Sequence, residues 1–128
     1  MKLGILGENI AFRYLNDFGY KIISRNYRRG FDEIDIIAFS PSGILIFLEV
    51  KTMKFAYSSS SCLIPEDNFS SRKVKKILRA CEGFLIKNPS LLNEYLGWRM
   101  DLIAISIKEE KNLYNLHHYK NVGNSFWE

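Results

Sequence analysis

Apolar positions recur along this chain in two rhythms. Leu3, Gly7, Ala11, Tyr14, Leu15 and Phe18 return at helical spacing. They predict an amphipathic helix over Leu3 to Phe18, stopped by Gly19. Gly4 and Gly7 are costly inside a helix, so their place near its start predicts close packing against a sheet. Ser70 to Asn88 carries the same rhythm through Val74, Ile77, Leu78, Cys81, Phe84 and Leu85, with Ser70 as N-cap and Asn88-Pro89 as stop.

The other rhythm has period two. Tyr20 to Tyr27 reads as a strand with Tyr20, Ile22, Ser24 and Asn26 on one face. Arg99 to Ile107 and Asn112 to Tyr119 read as strands separated by the charged turn Lys108 to Lys111. Leu91 to Leu96 adds a short turn, and Met53 to Phe69 reads as an irregular serine-rich loop. The expected order is α-β-β-β-α-β-β, an α/β fold with a mixed sheet flanked by helices. The strand–helix–strand passage into Arg99 favours parallel neighbours.

The central stretch is Asp32 to Thr52, two strands joined by Pro41-Ser42-Gly43. Ile34, Ile36 and Ala38 alternate along the first strand, while Ile44 to Val50 is apolar on both faces, as in the middle of a sheet. A three-residue loop fixes the register. Ser40 faces Ile44, Phe39 faces Leu45, and the count runs outward through Ile36 and Leu48 to Asp35 and Glu49, then Glu33 and Lys51. Directly opposed residues share a face, with Cβ atoms about 5 Å apart. Glu33, Asp35, Glu49 and Lys51 are thus expected together at one end of the hairpin.

Two carboxylates held that close repel, and one resists ionising. A divalent cation removes the conflict; Mg²⁺ is commonly held by one or two carboxylates with water and phosphate completing its shell. The bland alternative is a solvated, idle hairpin end. It is disfavoured because the second strand is too apolar for an exposed ribbon.

Charge adds a direction. The 128 residues carry a net charge of +4, which favours a polyanionic partner only weakly. Arg72, Lys73, Lys75, Lys76 and Arg79 load the first turns of the second helix, the wrong end for the helix dipole unless an anion arrives. Arg25, Arg28 and Arg29 cluster at the end of the first strand. Each group has a bland reading as a solvated face, and phosphate contact as its functional one. At 47% hydrophobic the chain can bury a core, and its length predicts one domain over residues 1–128. Cys62 and Cys81 lack CxxC spacing and suit a reducing cytoplasm. No signal peptide or membrane span is expected, because Glu8, Asn9 and Arg13 interrupt the first apolar run. His117 and His118 are adjacent, so on a strand they face opposite ways and make poor joint metal ligands.

The ordered set Gly4-x-x-Gly7-Glu8-x-x-Ala11, Tyr14-Leu15, Gly19-Tyr20, Arg25-Asn26-Tyr27, Glu33-Ile34-Asp35, Glu49-Val50-Lys51-Thr52, Lys73 and Arg99-x-Asp101 resembles the YraN-like family of predicted endonucleases. That family belongs to the PD-(D/E)xK nuclease superfamily, is similar to Holliday-junction resolvases, and has a restriction-endonuclease-like α-β-β-β-α-β core. The resemblance implies a Mg²⁺-dependent DNA endonuclease, with Mn²⁺ as substitute, that hydrolyses phosphodiester bonds in branched, repair or recombination DNA. It implies Asp35, Glu49 and Glu8 as metal ligands, and Lys51 as the residue that orients water or stabilises phosphorane charge. On the residues alone, Glu8 is a solvated first-turn acid. The expected DNA contacts are Lys73, Lys76, Arg72, Arg28 and Arg29. Cleavage of branched DNA implies two facing sites and hence a homodimer, though no stretch announces an interface. Two positions depart from the family pattern: Asp32 stands where glycine is usual, and Met53 where arginine is usual. A rival reading is a nucleic-acid-binding module of the same fold without turnover, and another is a structural protein.

Overall fold

The structure is a computed structural model, and it describes residues 3–54, 71–93 and 95–125. Helix α1 spans Leu3–Asp17, and strands β1 (Lys21–Arg29), β2 (Asp32–Phe39) and β3 (Leu45–Lys54) follow. Helix α2 spans Ser71–Lys87, then come β4 (Trp98–Lys108), β5 (Leu113–Tyr119) and the short α3 (Val122–Ser125). The five strands lie in the order β1-β2-β3-β4-β5. β3 and β4 are parallel, as the intervening helix requires, and the other neighbours are antiparallel. This is the expected α/β fold, consistent with a restriction-endonuclease-like core.

The helices cover opposite faces. Ala11 and Leu15 of α1 pack with Ile36, Ala38, Ile46, Leu48, Ile103 and Ile105. Val74, Ile77, Cys81 and Phe84 of α2 pack with Ile37, Phe47, Met100 and Leu102. The Phe47 ring meets Phe84 and Trp98 edge-on, at centroid distances of 5.7 and 5.3 Å. Burying one such side chain stabilises by about 1.5–3 kcal/mol.

Helix α1 stops at Gly19 through φ +84°, with Tyr20 N–H donating to Leu15 O and Gly19 N–H to Asn16 O. Of the two glycines near its start, only Gly7 serves close packing: a Cβ there would run into the Thr52 side chain of β3, whereas Gly4 faces open space. The Pro41–Gly43 loop has the expected register. Ser40 N–H donates to Ile44 O at 2.8 Å, and the ladder runs from Phe39/Leu45 to Ile36/Leu48.

Three expectations are corrected. Strand β3 continues to Lys54, so Met53 and Lys54 are strand rather than loop. Strand β1 continues through Arg29 and has a bulge between Ile22 and Ser24, so its side chains do not simply alternate. Ile34 does not share a face with Ile36: Ile36 lies in the α1-side core and Ile34 in the α2-side core. The partner strand turns over at the same place, where Asn26 has φ +55° between Arg25 on the α1 side and Tyr27 on the α2 side. The rest of the serine-rich loop, Cys62 and the Ser70 cap lie outside the described residues.

Candidate active site

Asp35 and Glu49 lie just beyond the last pair of the β2–β3 ladder, Ile36/Leu48. Asp35 does not continue that ladder through its backbone. Its Oδ2 instead accepts the Val50 N–H at 2.8 Å. The side chain is 6% exposed, and this bond fixes it toward β3. Glu49 is half-buried, and its carboxyl is hydrogen-bonded to that of Asp35. Burial first, then the Asp35 bond and charge, push the Glu49 carboxyl well above its ordinary range. Glu33 adds to the rise, and Lys73 of α2 opposes it. Two ionised carboxylates can only accept hydrogen bonds, so ionisation of Glu49 beside Asp35 is opposed.

Glu8 reaches the same neighbourhood from α1. Its carboxyl is raised by burial and by the Asp35 charge, against Arg25 and a hydrogen bond with Asn26. Among the described residues, no three His, Cys, Asp or Glu side chains are grouped closely enough to hold a metal ion. Lys51 is two residues past Glu49 on β3 and therefore on its face, in register with Ala104 of β4.

A cleft of about 210 Å³ opens beside Glu49, lined by Phe31, Asp32, Glu33, Lys73 and Lys76. Two of the five expected DNA-contact residues thus line it. Arg72 is exposed on α2 outside that lining. Arg28 pairs with Glu33 at 3.5 Å on the surface. Arg29 lies along α2, where a Cβ on Gly83 would collide with its guanidinium. Arg25 turns to the α1 side, donating to Asn9 Oδ1 and covering the Phe12 ring.

Several functional-looking contacts were not read from the sequence. Arg79 donates twice to Asp32, both at 2.8 Å, and holds that carboxyl below its ordinary range. Asp32 is therefore committed to α2. Asn26 bonds Glu8; its only sequence signal is a residue type that tolerates positive φ. On the α1 side of the sheet, fully buried Asp101 accepts from Arg99 Nε at 2.9 Å, His118 Nε2 at 2.8 Å and Asn121 N–H at 2.9 Å. Burial alone would raise the Asp101 carboxyl, but these bonds outweigh it and hold it low. The Tyr14 hydroxyl meets His118 Nδ1 at 2.8 Å. His118 is thus structural and His117 exposed, as expected of adjacent strand residues.

The fold and these residues define an α/β protein with an acidic pair where the ladder of its central hairpin ends. The chain belongs to the uncharacterised protein family UPF0102, the YraN-like members of the PD-(D/E)xK nuclease-like group; the family model matches residues 7–105. It is 34% identical over 119 residues to a UPF0102 protein of Desulforamulus reducens, covering 93% of each chain. It is 40% identical to UPF0102 protein CT2262 of Chlorobaculum tepidum, covering 92% of this chain and 88% of that one. Pyrococcus furiosus SfsA in complex with Ca²⁺ overlaps at a TM-score of 0.37 with 16% identity, over 90% of this chain and 60% of that one. That likeness is too loose to carry an argument. No helix among the described residues is long and apolar enough to cross a membrane.

Proposed function

We propose that this protein is a metal-dependent DNA endonuclease. The observation that carries the reading is the hydrogen-bonded Asp35–Glu49 pair beside a cleft lined by Lys73 and Lys76. Two adjoining carboxyls, one of them resisting ionisation, match the donor chemistry a hard divalent cation takes. Asp35 and Glu49 would hold Mg²⁺ or Mn²⁺, with Glu8 as a third donor from α1. A bound cation would polarise the scissile phosphate and acidify a bound water. Lys51 orients the attacking water or offsets charge at phosphorus. Lys73 and Lys76 hold flanking phosphates, which position the strand without reading its sequence.

A second reading, a binding module without turnover, is favoured by the lack of a three-acid group among the described residues. Plasmid nicking with Mg²⁺ or Mn²⁺ decides between them. Wild type should cleave, while Asp35→Ala, Glu49→Ala and Lys51→Ala should each abolish cleavage without loss of fold. No metal-dependent cleavage by wild type, or cleavage by Glu49→Ala at the wild-type rate, would sink the nuclease reading.

A further inference from the structure

Phe31 is a large apolar side chain left fully exposed, and it lines the same cleft as Glu49, Lys73 and Lys76. Isolated exposed apolar residues are ordinary; what sets this one apart is where it stands and the short loop that carries it. The β1–β2 ladder closes at Arg29/Asp32, so Gly30 and Phe31 form a two-residue hairpin loop. Gly30 has φ +61° at the first loop position, where a type II′ turn calls for glycine. The residue after Phe31 is pinned to α2 by the double Arg79–Asp32 bond. On so short and anchored a tip, little backbone ordering is needed when something stacks on the ring.

We infer that Phe31 stacks on an unpaired nucleobase beside the Asp35–Glu49 cleft and is the side chain through which the site tells interrupted from continuous duplex. The inference rests on the DNA reading of that site. Of the acids that line the cleft beside Glu49, Asp32 is paired with Arg79 and Glu33 with Arg28; the ring together with Lys73 and Lys76 then matches a nucleic-acid strand, base on ring and phosphates on ammonium groups. A continuous duplex offers no free base face unless a step is opened, which costs a few kcal/mol. At a branch, flap or gap that face is already free. Phe31 therefore selects for interrupted duplexes, while Lys73 and Lys76 attract both kinds of DNA alike.

The test is binding in EDTA, where cleavage does not interfere. The probes are a flapped duplex with 2-aminopurine at the first unpaired position and a continuous duplex of equal length. Wild type should prefer the flap and quench the 2-aminopurine. Phe31→Ala should bind the flap about tenfold more weakly and the duplex unchanged. Phe31→Trp should restore both preference and quenching. If Phe31→Ala keeps the wild-type ratio, the inference is overturned while the DNA reading stands. If wild type binds neither probe, both fall. Phe31-dependent preference in a protein that never cleaves would support the inference and overturn the nuclease reading alone.

Discussion

The carboxyl groups of Asp35 and Glu49 are hydrogen-bonded to each other one step beyond the last backbone pair of their strands. The ladder ends, the strands splay, and the Val50 amide takes up the Asp35 oxygen. This relationship makes the site's response to pH predictable.

Without metal, stability should fall as pH rises. The Glu49 carboxyl is raised from 4.5, so above that value the folded chain binds more protons than the unfolded one. The raised group stabilises fully at low pH, and that contribution is lost as pH climbs through its folded value. Urea melts in EDTA from about pH 5 to about pH 8 should show this decline, and Glu49→Gln should flatten it. An unchanged slope in the variant would place the proton elsewhere.

Mg²⁺ or Mn²⁺ should raise the melting temperature, because the acids converge only in the folded chain. About 2.7 kcal/mol is available at a hundred times the dissociation constant. Asp35→Asn should melt at or above wild type without metal and lose most of the metal-induced rise. Equal rises in both proteins at matched ionic strength would show that Asp35 is not a ligand.

Reversing Lys73 and Lys76 to Glu should weaken DNA binding across sequences and flatten its salt dependence, since phosphate contacts release counterions and read no bases. Filter binding at several salt concentrations checks this. An unchanged slope would leave α2 a solvated face.

Gly7→Ala should destabilise by about 1–3 kcal/mol by overpacking against Thr52. Thr52→Ala in the same chain should recover part of that loss, as expected for two residues in contact. Additive losses in chemical melts would contradict the contact.

His118→Phe should cost about 1–3 kcal/mol, because buried Asp101 loses one of its donors. Tyr14→Phe should cost less, since only His118 is left without that bond. The reverse order would mean that the Tyr14–His118 contact dominates.

The helices, strand order and hairpin register were legible because periodicity and loop length are local properties. Counting from the three-residue loop reached Ile36/Leu48 correctly. It failed at the next pair, because a buried carboxylate competed with a backbone partner for the Val50 amide, and no spacing rule reports such competition. Counting also missed the reversal at Ile34, since Asn26 reads as an ordinary strand residue until its φ is known. Lys73 and Lys76 could be found because they stand on a periodic face. The Arg79–Asp32 clamp joins residues 47 apart and the Asp101–His118 bond residues 17 apart, and nothing local announces either.

The reversal of sides around Asp35 has one further result. Sheets normally insulate the helix above from the helix below, so that each layer answers only to its own neighbours. Here Glu8 arrives from α1 and Lys73 from α2, and their fields meet on one pair of acids. A displacement of either helix therefore changes the field at the same pair of carboxyls, from opposite sides of the sheet.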